Sequence, residues 1–160
     1  MLSQTAEYAL RAVLHLAEQA ADSDRPVNVT DMAVALDVPR NYLSKTLHQL
    51  SRAGVVTSTF GPGGGFRLAR PADAMTLDEV VAPFDDQGGE RHCLLGRARC
   101  ADSDPCQAHA HWKGISTQIQ HFFRTTTVAT LLLPGHADSP LLPTTSRGSH
   151  GTPRRTRTRK

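Results

Sequence analysis

The sequence has no long apolar run and few cysteines. No stretch reaches the roughly 18 consecutive apolar residues of a membrane-spanning helix, and residues 1–20 lack the basic start and continuous apolar segment of an export signal. A membrane-spanning protein is therefore not predicted, and we expect a cytoplasmic location, where thiols stay reduced. The chain has three cysteines, and an odd number argues against a disulfide framework.

Acidic side chains are absent from one continuous part of the chain. Six of the 18 Lys and Arg lie in residues 147–160, which leaves 12 basic against 14 acidic side chains in residues 1–133. Residues 38–72 contain no Asp or Glu but have five basic side chains, namely Arg40, Lys45, Arg52, Arg67 and Arg70. A basic segment in a mildly acidic body indicates a surface for a polyanion, most commonly nucleic acid. The alternative is that acidic residues are absent from this segment by chance.

Two helices predicted around the start of this basic segment have the pattern of a helix-turn-helix. A first amphipathic helix over residues 3–19, with Ser3 as N-cap, precedes a short helix capped by Thr30. The next helix, over residues 39–53, has leucines spaced to face a core. Its outer face has side chains that can contact base edges or phosphates: Arg40, Asn41, Ser44, Lys45 and Gln49. A solvated face on an ordinary helix is the alternative interpretation.

A β-hairpin is predicted directly after this helix. Residues 55–60 and 66–69 are rich in β-branched and aromatic side chains, and they flank the glycine-rich stretch 61–65. In this position a hairpin is the wing of a winged helix, where Gly63 and Gly64 let the backbone approach DNA and Arg67 follows. The predicted fold is mainly α with a small β-hairpin wing, and residues 1–87 form the predicted winged helix-turn-helix DNA-binding domain.

A metal site is predicted where the cysteines cluster. Cys93, Cys100 and Cys106 lie within fourteen residues, and His109 follows three positions after the last of them. Thiolates and imidazole are ligands that zinc and iron–sulfur clusters accept. A structural Cys3His zinc site therefore stands as the alternative to a cluster. An enzyme with a cysteine nucleophile is not predicted, because no His and acid constellation beyond His109 accompanies the thiols.

A long C-terminal dimerisation helix is predicted to begin near Cys106. Its seam positions step by four and three, as in a helix that packs lengthwise on another, and all but Thr126 are apolar: Ala108, Trp112, Ile115, Ile119, Phe122, Thr126, Ala129 and Leu133. A homodimer across a two-fold axis is predicted, with packing on the chain's own first helix as the alternative. Residues 88–133 thus form the predicted cluster loop and dimerisation helix, and residues 134–160 a disordered basic tail.

Four segments resemble the Rrf-two family of bacterial winged-helix regulators: residues 2–12, Tyr42 to Lys45, the wing at 61–68 and the cysteine-rich loop. The resemblance covers residues 1–133. It implies a homodimeric transcriptional regulator, a repressor, whose affinity for double-stranded DNA depends on a [2Fe-2S] or [4Fe-4S] cluster held by the three cysteines. The implied signal is nitric oxide, redox stress or iron status.

The resemblance implies two alternatives for the fourth ligand. IscR-like members use a histidine three positions after the last cysteine, which His109 matches, whereas NsrR-like members use an acidic residue of the partner's first helix, and Glu7 occupies that position. Six residues separate the first two cysteines here, one more than is usual in the family. Neither the IscR-like nor the NsrR-like ligand set can therefore be assigned directly to this chain. For Glu7, an ion pair with Arg11 one helical turn away is the alternative.

Overall fold

The structure is a computed structural model that describes residues 2–23, 25–85, 93–95 and 101–132. The predicted tail and the predicted ligand Cys100 lie outside these residues. The regular elements are α1 (Gln4–Asp22), α2 (Val29–Leu36), α3 (Arg40–Arg52), β1 (Val56–Thr59), β2 (Gly65–Leu68), α4 (Leu77–Val81) and α5 (His109–Thr125). The predicted helix-turn-helix and hairpin are both present.

The first two helices begin at side-chain caps. The Ser3 hydroxyl accepts a hydrogen bond from the Ala6 N–H at 3.2 Å, as predicted. For α2 the predicted cap Thr30 is wrong, because Asn28 Oδ1 accepts from the Thr30 N–H at 2.7 Å and the helix starts at Val29. An Asn carbonyl two residues upstream satisfies a free N–H of the first turn as well as a threonine would.

The turn between α2 and α3 fixes the angle of the helix-turn-helix. Asp37 adopts the left-handed conformation with φ of 51°, and the Val38 N–H donates to the Ala33 carbonyl at 3.0 Å. This arrangement satisfies the carbonyl groups that the end of α2 leaves without helical partners. The buried Val38 side chain then packs into the core, and α3 begins immediately after Pro39.

One core lies under the helix-turn-helix and the wing. Leu43, Leu47 and Leu50 of α3 are fully buried, and each such side chain contributes about 1.5–3 kcal/mol by leaving water. They pack with apolar side chains from α1, α2, the wing and α4, including Leu16, Met32, Leu36, Val56, Phe66, Met75 and Leu77. The core therefore holds α3 by one face and leaves its opposite face exposed.

The wing is a two-stranded antiparallel hairpin to which the α1–α2 loop adds a bridge. Thr57 pairs with Arg67, and Thr59 with Gly65. Val27 exchanges two backbone hydrogen bonds with Phe66, at 2.8 and 2.9 Å. A Cβ atom on Gly65 would lie 2.3 Å from the Val27 carbonyl oxygen, so glycine is required for this approach.

The C-terminal helix is shorter than the sequence predicts. It starts at His109 instead of Cys106 and ends at Thr125, after which Thr126 accepts from the Leu77 N–H at 3.0 Å and the Val128 N–H donates to the Met75 carbonyl at 2.8 Å. Successive β-branched residues favour this extended backbone. Val128 is fully buried, and the 3-10 turn Ala129–Leu132 packs against α1.

The predicted lengthwise seam therefore stops at Phe122. Thr126 and Ala129 belong to the segment that returns to the core, and Leu133 is outside the described residues. Among the described residues, no helix is both long and apolar enough to cross a membrane.

Candidate nucleic-acid interface and metal centre

The exposed face of α3 carries four of its five predicted contact residues. Arg40, Asn41 and Lys45 are exposed, and Ser44 is half-buried beside them. The Arg40 Nε donates to Thr30 Oγ1 at 3.0 Å, which ties the start of α3 to α2. These side chains form a polar and basic surface over the first two turns of α3.

The fifth predicted residue, Gln49, has a contact inside the protein. Its side chain is half-buried, and Nε2 donates to the Pro83 carbonyl at 2.6 Å. Pro83 lies two residues after the end of α4, so this hydrogen bond joins α3 to the segment that follows α4. Sequence periodicity places Gln49 toward the outer surface, but the position of α4 is a tertiary feature that periodicity does not contain.

The wing exposes Gly63 and Arg67 and contacts α3 through Phe66. Gly63 has φ of 79°, which glycine adopts without strain, and a Cβ on Gly64 would lie 2.3 Å from the Thr59 carbonyl oxygen. Arg67 is exposed, with its Nε 3.4 Å from Thr57 Oγ1 on the paired strand. The His48 ring of α3 contacts the Phe66 ring edge-on, with centroids 5.5 Å apart, and so connects α3 to the wing.

Arg70, at the end of the same acid-free segment, is neutralised by Glu79. Its Nη2 lies 2.9 Å from Glu79 Oε1. Burial raises the pKa of Glu79, but hydrogen bonds from the Thr76 backbone and from the Arg70 guanidinium outweigh that effect and hold the pKa below its ordinary value. Arg70 therefore contributes less positive potential to the surface than Arg67 does.

The metal-centre candidates lie just before α5. Cys93 and Cys106 are half-buried and form no disulfide, and the Cys106 carbonyl accepts from the His109 N–H at 2.9 Å. The His109 side chain is only 9% exposed, with Nε2 2.7 Å from Asp102 Oδ1. Two half-buried thiols and a buried imidazole are donors that suit an iron–sulfur cluster or zinc.

A carboxylate that the sequence analysis did not single out holds His109. Lys113 Nζ lies 2.9 and 2.8 Å from the two carboxylate oxygens of Asp102, while Asp102 Oδ1 also contacts His109. Lys113 follows His109 by one helical turn, so both face the same side of α5. That spacing is the only sequence signal for the arrangement, since the position of Asp102 depends on how its loop folds back.

The structure does not bring Glu7 into contact with Arg11. Glu7 is exposed on α1, whereas the Arg11 guanidinium donates to the Leu36 carbonyl at 2.5 Å and lies 5.8 Å from the Tyr8 ring centroid. The ion-pair alternative for Glu7 is therefore wrong. Within the part of the chain that the structure describes, no three His, Cys, Asp or Glu side chains form a metal-binding group, but that part does not include Cys100.

A helix-turn-helix followed directly by a hairpin, with basic side chains on both, defines a winged-helix DNA-binding protein. The model of the Rrf2 (Rrf-two) family, described as an iron-dependent transcriptional regulator, matches residues 2–133. The chain belongs to the Rrf2 family of transcriptional regulators, which confirms the resemblance.

Individual relatives agree with this assignment. The chain is 38% identical over 134 residues to a putative HTH-type transcriptional regulator of Aquifex aeolicus, covering 82% of this chain and 91% of that protein. It is 31% identical over 131 residues to the HTH-type transcriptional regulator IscR of Vibrio atlanticus, covering 82% and 74%. Among solved structures, CymR, the global cysteine regulator of B. subtilis, shares the fold with a TM-score of 0.67 and 22% identity, covering 82% of this chain and 95% of that one.

Proposed function

We propose that the chain is a homodimeric repressor, acting in the cytoplasm, whose affinity for double-stranded DNA depends on an iron–sulfur cluster held by Cys93, Cys100, Cys106 and His109. One observation carries the ligand assignment: His109 is buried three residues after Cys106, and a carboxylate holds its ring. Metal-ligating histidines commonly have such a second hydrogen-bond partner. The description of the family as iron-dependent and the relatives named IscR support the choice of iron.

The residues divide into binding and positioning roles. The cysteine thiolates and the His109 imidazole would hold the cluster, which supplies a centre that nitric oxide, oxidants or iron shortage can change. Asp102, itself held by Lys113, orients the His109 ring. Glu7, exposed on α1, remains the alternative fourth ligand from the partner subunit.

The DNA surface follows from the exposed faces. Arg40, Asn41, Ser44 and Lys45 would contact base edges and phosphates in the major groove. Gly63, Gly64 and Arg67 would bring the wing to the neighbouring backbone or minor groove. Gln49 would act indirectly, since its hydrogen bond to Pro83 holds α3 against the end of α4.

The homodimer is supported by an exposed apolar face on α5. Ile115, Ile119 and Phe122 follow one another at steps of four and three residues and are 52%, 40% and 49% exposed. Large apolar side chains arranged in such a row indicate a contact with a second helix. An equivalent helix of a second copy fits a two-fold axis.

A continuous set of contacts joins the cluster loop to α3. α5 begins three residues after Cys106 and packs against α4. Pro83, which follows α4, accepts the hydrogen bond from Gln49. A change in the loop that shifts α5 would therefore move α4 and reorient α3, whose spacing across the dimer determines how well two half-sites are bound.

Anaerobic purification tests the cofactor assignment. The native protein is expected to be brown, with visible absorption and with iron and acid-labile sulfide in equal amounts, whereas Cys106→Ala should be colourless. Ser103→Ala, an exposed change in the same loop, should keep the colour. A colourless native protein with stoichiometric zinc would contradict the proposal and favour a structural zinc site without redox sensing.

A further inference from the structure

The α1–α2 loop is fixed to the wing and shares its surface. The two backbone hydrogen bonds between Val27 and Phe66 hold this loop beside β2. Gly65 lets the two backbones meet, because no side chain fits at that position. Side chains of the loop are therefore positioned relative to the wing by backbone pairing.

Arg25 lies two residues before Val27 and is exposed. It lines a small depression together with Arg67, and Ser23 and Phe66 also line this depression. Its backbone N–H donates to Ser23 Oγ at 3.2 Å. Among the described residues that line the depression none is acidic, so the two guanidinium groups reinforce each other's positive potential there.

Arg25 also reaches the tip of the wing. It lines, with Gly63 and Gly64, an open cleft of about 880 Å³ between the wing and α2. Of the described residues that line this cleft, Asp31 is acidic. The Arg67 depression and the glycine cleft thus place Arg25 beside both parts of the wing that are proposed to approach DNA.

We propose that Arg25 is part of the DNA-binding surface and binds a backbone phosphate next to the one bound by Arg67. This inference rests on the proposed DNA-binding role of the wing. It extends that surface onto the α1–α2 loop, because Arg25 lies outside the acid-free segment, which starts at residue 38. A phosphate contact positions the protein without reading bases, so the effect of Arg25 is the same on all sequences.

The salt dependence of binding to a random-sequence DNA duplex measures this contact. Four proteins are compared: native, Arg25→Gln, Arg67→Gln and Arg70→Gln. Removing one phosphate-binding charge should make the slope of log affinity against log salt less steep by about 0.9. Arg25→Gln and Arg67→Gln should each flatten the slope, and the matched control Arg70→Gln should leave it unchanged because Glu79 already binds that guanidinium.

The outcomes separate this inference from the proposed function. If Arg67→Gln flattens the slope and Arg25→Gln does not, Arg25 binds no phosphate and the inference is wrong while the wing keeps its role. If neither change alters the slope, the proposed wing contact itself is wrong. Arg25→Lys keeps the charge and should restore the native slope; a slope that stays flattened would show that the missing charge is not the cause.

Discussion

Gly65 and Gly114 are glycines in opposite surroundings: Gly65 is closely packed, whereas Gly114 has open space around it. A Cβ on Gly65 would meet the Val27 carbonyl oxygen at 2.3 Å, whereas a Cβ on Gly114 would have no described atom within 4 Å apart from the nearby backbone of α5 itself. Gly65→Ala should therefore lower the free energy of unfolding by about 1–3 kcal/mol, and Gly114→Ala should raise it by about 0.5–1 kcal/mol because alanine favours the helix. Urea denaturation of both variants measures the difference. Equal stabilities would mean that the loop is not fixed to the wing as described.

Asp102 is the carboxylate proposed to position His109 at the metal centre. Asp102→Ala removes the carboxylate that contacts His109 Nε2, so iron retention should weaken by about 10- to 100-fold. Asp104→Ala removes the same charge from the same loop and should retain native iron binding. The measurement is the transfer of iron from the anaerobic protein to a competing chelator. If both variants lose iron equally, Asp102 acts only through its charge.

Single residues also show where sequence reasoning ends. The thiols and His109 can be recognised as candidate ligands, because their residue types and their spacing are features of the sequence itself. Asp102 and Arg25 cannot, since their roles arise from a loop that folds back onto α5 and from a loop that pairs with β2. Both contacts are tertiary, and neither leaves a periodic pattern.

Among the helices, α5 carries the exposed apolar face that is proposed to form the dimer contact. Ile119→Glu places a charge in the middle of that face, so the proposed dimer should dissociate at concentrations where the native protein is dimeric. Gln118→Glu adds the same side chain at the neighbouring exposed position and should leave the dimer intact. Sedimentation velocity distinguishes these outcomes. A native dimer that persists in Ile119→Glu would show that another surface joins the subunits.

The order of α1, α2, α3 and α5 was predictable from the sequence, but not every helix end. Apolar spacing of 3.6 residues is local, and it identifies α1, α3 and α5 from the sequence alone. The end of α5 depends on pairing between Thr126 to Val128 and Met75 to Leu77, which lie about fifty residues earlier in the chain. The apolar side chains up to Phe122 therefore form an exposed helix face, whereas those after it pack into the core.

In the molecule as a whole, both the sequence and the fold determine which charged side chains lie on the basic face. The acid-free segment at 38–72 predicts which face is basic, and α3 and the wing form that face. Tertiary contacts then alter the charge of this face. Glu79, from outside the segment, forms an ion pair with Arg70, and Arg25, also from outside it, lies beside Arg67. Sequence composition thus locates the surface, whereas tertiary contacts decide which charges it presents.

We propose that the state of the metal centre controls DNA affinity. The most direct test uses DNA that the cluster-containing protein selects from a random duplex library, and measures its affinity anaerobically for protein with the cluster, after removal of the cluster and after reconstitution. Coupling between two sites in a protein is typically worth about 5- to 150-fold in affinity. We predict a loss of affinity in that range on removal and its recovery on reconstitution; equal affinity in all three states would contradict the account.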